Sequence, residues 1–266
     1  MQKHAVATIA VAILSTLASP TFASTALAQL SDFQIQLIDL NSADAVGPSV
    51  TFQNLQGGTF VAAESGTPSN VVTDVHAGGV PFGPANSTST HGGGAAYSSL
   101  SGDPFGAGAN ATASASTGVS GAYGASTVWL GDGQVYVPFT LSADTRLVIT
   151  ANASASALST LAGPDADTWA SVFLKLTDGT GQGGVSQDSV SAEQFGTTGA
   201  SPNATIDAHR IEISFENLSS DSMDGIFSGS VDAYSADLSP VPEPAGMALM
   251  LGGLGMLAWR GRRRDR

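Results

Sequence analysis

Aspartates in loops near glycines are the residues of this chain whose type and spacing could do chemistry. Five of them lie in polar segments between apolar runs, namely Asp165, Asp167, Asp178, Asp221 and Asp224. Loop carboxylates and backbone carbonyl oxygens are the ligands that a hard cation such as calcium takes. Their spacing matches neither the EF-hand loop nor the calcium-binding nonapeptide repeat, and aspartate is also an ordinary turn residue. The five are therefore candidate calcium ligands beside the simpler interpretation as turns, and no other cofactor is expected.

Other side chains of catalytic type form no recognisable motif. His76, His91 and His209 lack the His-x-x-x-His spacing that places two zinc ligands on one helix face. His209 and Glu212 lie on a strand pattern, where an offset of three residues points their side chains to opposite faces. No serine lies in a Gly-x-Ser-x-Gly elbow, and the chain has no cysteine, which excludes thiol catalysis. The sequence predicts a protein that is not an enzyme.

The elements that would position these residues are strands, because apolar residues of the body recur with a period of two. The clearest alternation covers residues 135–141 and 211–216. Weaker alternation predicts strands at 33–40, 50–55, 59–64, 126–130, 146–157, 169–177 and 227–236. Gly, Ser, Asp and Pro clusters separate these segments, and no body segment has a helical stripe. The pattern predicts an all-β fold, an antiparallel β-sandwich of jelly-roll type.

Two stretches depart from this pattern. Residues 78–126 are rich in Gly, Ser, Ala and Thr, and residues 177–199 are polar and Gly-rich. Small residues bury little apolar area and fix strand register weakly. We expect a long surface loop in the first stretch, with a strand as the alternative, and a connection between strands in the second.

The charge of the body limits its partners. Between Gln29 and Ser239 only Arg146, Lys175 and Arg210 oppose twenty Asp and Glu, so the net charge is near −17. Such a surface repels nucleic acid and anionic lipid headgroups, and acidity also keeps an exported protein soluble. We expect no nucleic-acid partner. The length of the body suffices for one sizeable core, which holds together without disulfides.

The N-terminus has the pattern of a cleaved secretory signal peptide. Lys3 and His4 precede an apolar run at residues 5–17, and Ala26 and Ala28 form a small-x-small site before Gln29. A permanent anchor is the alternative, but thirteen apolar residues are few for a membrane span. The sequence predicts a signal helix within residues 1–28, with the secretion translocon and signal peptidase as partners.

The C-terminus has three parts in a fixed order. Pro242, Glu243 and Pro244 precede an uncharged segment at residues 245–259, and a cationic end at residues 260–266 follows. The basic residues of that end are Arg260, Arg262, Arg263, Arg264 and Arg266. The uncharged segment is short for a bilayer, but flanking arginines can extend toward the interface. The positive-inside rule places this end in the cytoplasm and the body outside; a buried core helix is the alternative.

This tail resembles the PEP-CTERM sorting signal of exported Gram-negative bacterial proteins. The resemblance covers about a tenth of the chain and implies recognition at Pro242, Glu243 and Pro244 by an exosortase, a membrane-embedded cysteine peptidase. It implies a transmembrane helix at residues 245–259 and a retention signal at residues 260–266. The expected organisation is a signal peptide (1–28), a secreted body (29–234), a tether (235–241) and the sorting signal (242–266).

Three functions follow as expectations. The first is a non-enzymatic surface or matrix protein that passes through an inner-membrane intermediate, with the body in the periplasm, to the cell surface or medium, where it associates with exopolysaccharide. The second is a carbohydrate- or ice-binding sandwich. Its available aromatic residues are Trp129, Trp169, Tyr123, Tyr136 and Tyr234. We expect most of them to be core or sheet-packing residues that bind no ligand. The third is a glycoside-active enzyme that uses two neighbouring carboxylates.

Overall fold

A computed structural model describes most of the body. The described residues are 24–43, 47–53, 60–77, 84–106, 108–119, 121–130, 136–159, 166–180, 186–195 and 203–237. No helix among them is long and apolar enough to cross a membrane. Several predicted features lie outside the described residues. They are the part of the signal helix before Ser24, the candidate calcium ligand Asp165, the sorting motif, the transmembrane segment and the basic tail.

The described part of the chain is built from fourteen strands. Their bounds are β1 (Ser24–Asp39), β2 (Val50–Phe52), β3 (Phe60–Thr67), β4 (Asn70–Ala77), β5 (Ala85–His91), β6 (Gly94–Asp103), β7 (Gly108–Thr117), β8 (Ala122–Trp129), β9 (Tyr136–Leu141), β10 (Thr145–Ser159), β11 (Ala166–Asp178), β12 (Ser186–Phe195), β13 (Asn203–Asn217) and β14 (Met223–Asp237). Each predicted strand falls on one of these elements. The last strand continues to Asp237, three residues into the predicted tether.

The strands form two antiparallel sheets that enclose one core. The first sheet has the order β13-β10-β1-β7-β6-β5, and β1 lies near its centre, paired with β10 and β7. The second has the order β12-β11-β14-β8-β3-β4, with β9 paired to β14 and β2 paired to β9. The prediction of an all-β fold with antiparallel sheets is confirmed.

Large apolar side chains fill one end of the space between the sheets. Phe33 of the first sheet meets Phe227 of the second edge to face at 6.1 Å, and Phe139 meets Phe215 at 5.5 Å. Leu147, Ile149, Leu174 and Leu176 are buried with them. Burial of these side chains is the main apolar contribution to folding.

The other end of the core is made of small residues, and here the expectation of a surface loop in residues 78–126 is wrong. Strands β5, β6, β7 and most of β8 lie in this stretch. Ala111, Ala113 and Ala115 are buried, with Ser and Thr alternating between them. The sheets approach so closely that a β-carbon on Gly94 would lie 2.7 Å from the carbonyl carbon of Tyr123. Small side chains therefore fill this gap, and register is fixed by close backbone packing.

At this end of the core, buried hydroxyl groups form hydrogen bonds from one sheet to the other. Ser65 and Ser89 share a buried hydrogen bond of 2.8 Å, and Thr117 and Ser235 share one of 3.1 Å. The Ser126 hydroxyl donates to the Ser114 carbonyl oxygen over 3.0 Å. Each bond gives a buried polar group the partner that it needs away from water.

Residues 177–199 also contain a strand, so the expectation that this stretch only connects strands is corrected. Strand β12 pairs with β11 at the edge of the second sheet. Only Val190 and Ala192 of β12 are buried, because one face of this edge strand packs on the core and the other faces water. Two apolar positions give too weak an alternation to predict the strand.

Candidate functional site

The outer side of the second sheet carries several aromatic residues and carboxylates of the body. Alternation along β3, β8, β14 and β11 points every second side chain away from the core. In one row across these strands the register aligns Glu64, Ala125, Tyr234 and Trp169, and Glu193 of β12 follows. We call this surface the outer face.

Two stacked aromatic pairs lie on the outer face. The rings of Trp169 and Tyr234 are 5.8 Å apart with an interplanar angle of 25°, and those of Phe60 and Trp129 are 4.0 Å apart at 18°. Each pair joins residues directly opposite on neighbouring strands. Four residues of β8 separate the rows of the two pairs, which corresponds to about 13 Å along the strand.

Asp232 lies in the row between the two aromatic pairs. The Thr127 hydroxyl donates to its Oδ1, and the Ser230 hydroxyl donates to its Oδ2 over 2.6 Å. Burial raises the pKa of the Asp232 carboxyl, and the two hydroxyl donors oppose that shift by stabilising the carboxylate. Asp232 is thus a hydrogen-bond acceptor held in place between two apolar ring surfaces.

A second carboxylate on this surface is bound to a tyrosine. The Tyr123 hydroxyl donates to Glu64 Oε1 over 3.0 Å. Burial raises the pKa of Tyr123 to about 12, and the hydrogen bond to Glu64 adds to the shift. The phenol therefore stays protonated at neutral pH and fixes the position of the Glu64 carboxylate.

Asp167 extends the polar part of the outer face toward the end of β11. Burial raises the pKa of its carboxyl, and the nearby negative charge of Glu193 raises it further. Its Oδ1 is buried and has no hydrogen-bond partner among the described residues. Burial also raises the pKa of the neighbouring Tyr234 phenol, as does the charge of Asp167.

The central part of the outer face is a shallow depression of about 200 Å³. Glu64, Thr127, Trp169, Asp232 and Tyr234 contribute to its lining. Apolar ring surfaces beside fixed hydrogen-bonding groups are the pattern of sites that bind small polar molecules with apolar faces. Sugar rings have this chemistry, since their C–H faces pack on aromatic rings while their hydroxyls donate to carboxylates.

Four of the five candidate calcium ligands lie in the described part of the chain, and these four do not form one group. Asp167 and Asp178 lie at opposite ends of β11, about 36 Å apart along the strand. Asp178 Oδ1 accepts from the Thr180 hydroxyl at 2.6 Å, and Asp224 Oδ1 accepts from the Thr140 hydroxyl at 2.7 Å. Asp221 lies before β14, where its carbonyl oxygen accepts from the Asn217 amide. Within the described ranges, no group of three or more carboxylate or histidine side chains could hold a metal ion.

Three other residues that the sequence singled out do not belong to the outer face, namely His209, Ala26 and Ala28. His209 is exposed at an edge where the sheets meet, with Asp207 3.3 Å from its Nδ1 and Asp188 3.5 Å from its Nε2. Ala26 and Ala28, predicted to precede signal-peptide cleavage, are buried in β1. Pro242, Glu243, Pro244 and the five arginines lie outside the described residues.

All five aromatic residues that the sequence offered for a binding surface point outward from the second sheet. None belongs to the apolar core, and Tyr136 is 63% exposed. The sequence contained a signal for this placement at two positions, because Trp169 and Tyr234 each follow and precede small residues that occupy the inward positions. Asp232 and Glu64 had no comparable signal, since their proximity to the rings depends on strand order.

The fold and this surface define the chain as an all-β protein with two antiparallel sheets and one aromatic and acidic sheet face. No protein-family model matches the chain, and no curated protein is significantly similar to it in sequence.

Proposed function

We propose that this chain is an exported, non-enzymatic surface or matrix protein whose body binds extracellular polysaccharide through the outer face. One observation carries the binding proposal: two stacked aromatic pairs flank the hydrogen-bonded carboxylate of Asp232 on a single face. This arrangement presents apolar and acceptor groups together, as a polymer of sugar rings requires.

The chemistry of the body selects the class of polysaccharide. With three cations against twenty acidic residues between Gln29 and Ser239, the body repels polyanions. The acceptors on the outer face are carboxylates, which take hydrogen bonds from sugar hydroxyls. The proposed ligand is therefore a neutral polysaccharide, and an acidic one such as alginate is the negative control.

The route to the cell surface rests on the two ends of the chain. The signal-peptide pattern before the body supports export, and the Pro242-Glu243-Pro244 motif with its apolar segment and arginine cluster supports sorting by an exosortase. Deletion of residues 242–244 tests this part of the proposal. We expect the deletion to abolish processing and leave the protein in the inner membrane; unchanged processing and location would refute the role of the motif.

Binding is tested by affinity electrophoresis in gels that contain a soluble neutral β-glucan, with alginate gels in parallel. Trp169→Ala removes one stacked ring, and Asp232→Asn removes the central carboxylate. Tyr97→Ala is the matched control, because Tyr97 is an exposed aromatic residue on the outer side of the first sheet. Loss of a central aromatic contact typically costs about 2 kcal/mol of binding free energy, so we expect roughly a thirtyfold weaker retardation constant for Trp169→Ala.

The pattern of results decides the proposal. Retardation by the glucan that Trp169→Ala and Asp232→Asn weaken, and that Tyr97→Ala leaves intact, supports the outer face as the site. Equal effects of all three variants, or no retardation of the native protein by any neutral polysaccharide, would refute it.

A jelly-roll connectivity is part of this proposal. The chain crosses repeatedly between the two sheets, for example from β4 to β5 and from β7 to β8, as it does in jelly-roll lectin domains.

Ice binding is a second candidate, favoured by the outer side of the first sheet. Thr88, Ser114 and Ser156 lie in one row there, and Thr90, Ser116 and Thr25 lie in the next. Leu27 and Tyr97 interrupt this array of hydroxyls. Ice recrystallisation measured with and without the protein tests the candidate, and growth of crystals at the rate of a matched albumin solution would exclude it.

A further inference from the structure

The first five residues of β1 belong to the interior of the first sheet. Ser24–Ala28 pair with Ser159–Ala155 of β10 on one side and with Thr117–Ala113 of β7 on the other. Every residue of this segment therefore has a neighbouring strand on both sides. The segment is a central part of the sheet and not a frayed end.

The side chains of this segment also belong to the core. Ala26 is 2% exposed and Ala28 is fully buried, both within the small-residue end of the core. Ser24 is buried as well, and its hydroxyl shares a hydrogen bond of 3.2 Å with the Ser159 hydroxyl. Both ladders and the inward-facing side chains thus make Ser24–Ala28 an integral part of the folded body.

Cleavage after Ala28 would remove this segment from the mature protein. The facing edges of β7 and β10 would then lie two strand spacings apart, about 10 Å, which is too far for them to pair directly. Their backbone groups would lose their partners next to the core, and the space left by Ala26 and Ala28 would be empty. Signal peptidase acts on the chain before it folds, so the mature sequence must itself retain what the fold needs.

A second small-x-small site lies immediately upstream of β1. Thr21 and Ala23 have the required spacing, and Pro20 separates them from the apolar run that ends at Leu17. A cut after Ala23 makes Ser24 the first residue of the mature chain.

We propose that signal peptidase hydrolyses the Ala23–Ser24 peptide bond, so that the mature protein begins at the first residue of β1. One water molecule is consumed: its hydroxyl joins the Ala23 carbonyl carbon, and its proton goes to the Ser24 nitrogen, which becomes the new α-amino group. This inference rests on the proposed export of the chain.

N-terminal sequencing and intact-mass measurement of the extracytoplasmic protein test the inference. The expected first residue is Ser24. A mature chain that begins at Gln29 would overturn the cleavage site and leave the export proposal intact. An uncleaved chain that begins at Met1 and stays in the cytoplasm would overturn both.

A pair of variants tests the site independently of the folded body. Ala23→Leu places a large side chain next to the scissile bond, whereas Phe22→Leu changes the middle position that the small-x-small pattern leaves open. Both residues precede Ser24, so neither belongs to the proposed mature chain. We expect uncleaved precursor to accumulate with Ala23→Leu and not with Phe22→Leu; normal processing of Ala23→Leu would refute cleavage at this bond.

Discussion

Gly124 in β8 reports how closely the two sheets approach at the small-residue end of the core. A β-carbon at this position would overlap the carbonyl oxygen of Ala95 and lie 3.2 Å from that of Ser116, both in the first sheet. The obstacle is backbone on the opposite sheet, which cannot turn away as a side chain could. Gly124→Ala therefore forces the sheets apart by about 1 Å to reach ordinary van der Waals distance.

The cost of this separation follows from the neighbouring contacts. A gap of about 0.5–1 Å forfeits a quarter to a half of the dispersion energy of the atoms that line it, and overpacking of a core costs about 1–3 kcal/mol. Alanine in a strand regains about 0.5–1 kcal/mol relative to glycine. We expect Gly124→Ala to destabilise the protein by about 2 kcal/mol, and Gly124→Val to cost more because it adds two methyl groups to the same gap.

Thermal and urea unfolding of the purified protein measure this effect. A loss of 2 kcal/mol lowers Tm by roughly 4–8 °C for a body of this size. Gly118→Ala is the matched control, because its added β-carbon meets only the Gly93 carbonyl oxygen at 3.7 Å, an ordinary contact. The control should be neutral or up to about 1 kcal/mol stabilising. Equal Tm values for the two alanine variants would show that the sheets do not approach this closely.

Three further predictions concern polar groups. Ser65→Ala and Ser89→Ala remove the two ends of a buried 2.8 Å hydrogen bond, so a double-mutant cycle should give a coupling free energy of about 0.5–1.5 kcal/mol, and additive effects would contradict the bond. The raised pKa of Tyr123, about 12, predicts a late phenol transition in ultraviolet absorbance that Tyr123→Phe abolishes and Glu64→Gln shifts to lower pH. Because this pKa is raised, its contribution to stability is fully present below about pH 10 and is lost as the pH rises through about 12. Burial raises the pKa of the Asp232 carboxyl. The contribution of this group to stability is therefore fully present at pH values below the ordinary carboxyl pKa, and it is lost as the pH rises through the raised pKa. Asp232→Asn should therefore unfold at pH 7 no earlier than the native protein, and a large loss of stability would show that the carboxylate is structural.

Strands with large apolar residues were predictable because their alternation is strong. Ile211, Ile213 and Phe215 are buried in β13, and Val137, Phe139 and Leu141 are buried in β9. Each of these side chains removes enough apolar area from water to fix which face points inward. For such strands the sequence pattern determines which face packs on the core without knowledge of the partner strand.

Strand β7 could not be predicted in the same way. Its inward residues are alanines and Thr117, and its outward residues include Thr, Ser and Asn, so the two faces differ little in hydrophobicity. What fixes β7 is the close approach of the opposite sheet at Gly94 and Gly124, together with hydrogen bonds such as Ser126 to Ser114. These depend on residues far apart in sequence, and no local pattern contains them.

The candidate site also combines residues that the sequence could indicate with residues that it could not. The aromatic residues were recognisable as candidates from their type, but the core competes for such residues in most proteins. Asp232 becomes part of a site only because β14 lies between β8 and β11, which places it beside Thr127 and between the two ring pairs. Strand order across the sheet is a tertiary property, so the site emerges only from the assembled fold.

The position of β1 in the first sheet determines when it can pair relative to the proposed export. β1 is the first strand of the chain, yet its two partners begin at Gly108 and Thr145, so it has no neighbour until much of the body has emerged. Non-local pairing of this kind forms late, because closing long loops costs entropy before contacts repay it. In the proposed export, Ser24 is therefore still unpaired during translocation and accessible to signal peptidase, and it becomes part of the sheet afterwards. Cleavage at the proposed Ala23–Ser24 bond suits this order of events, since it removes the leader and keeps Ser24–Ala28 in both ladders of β1.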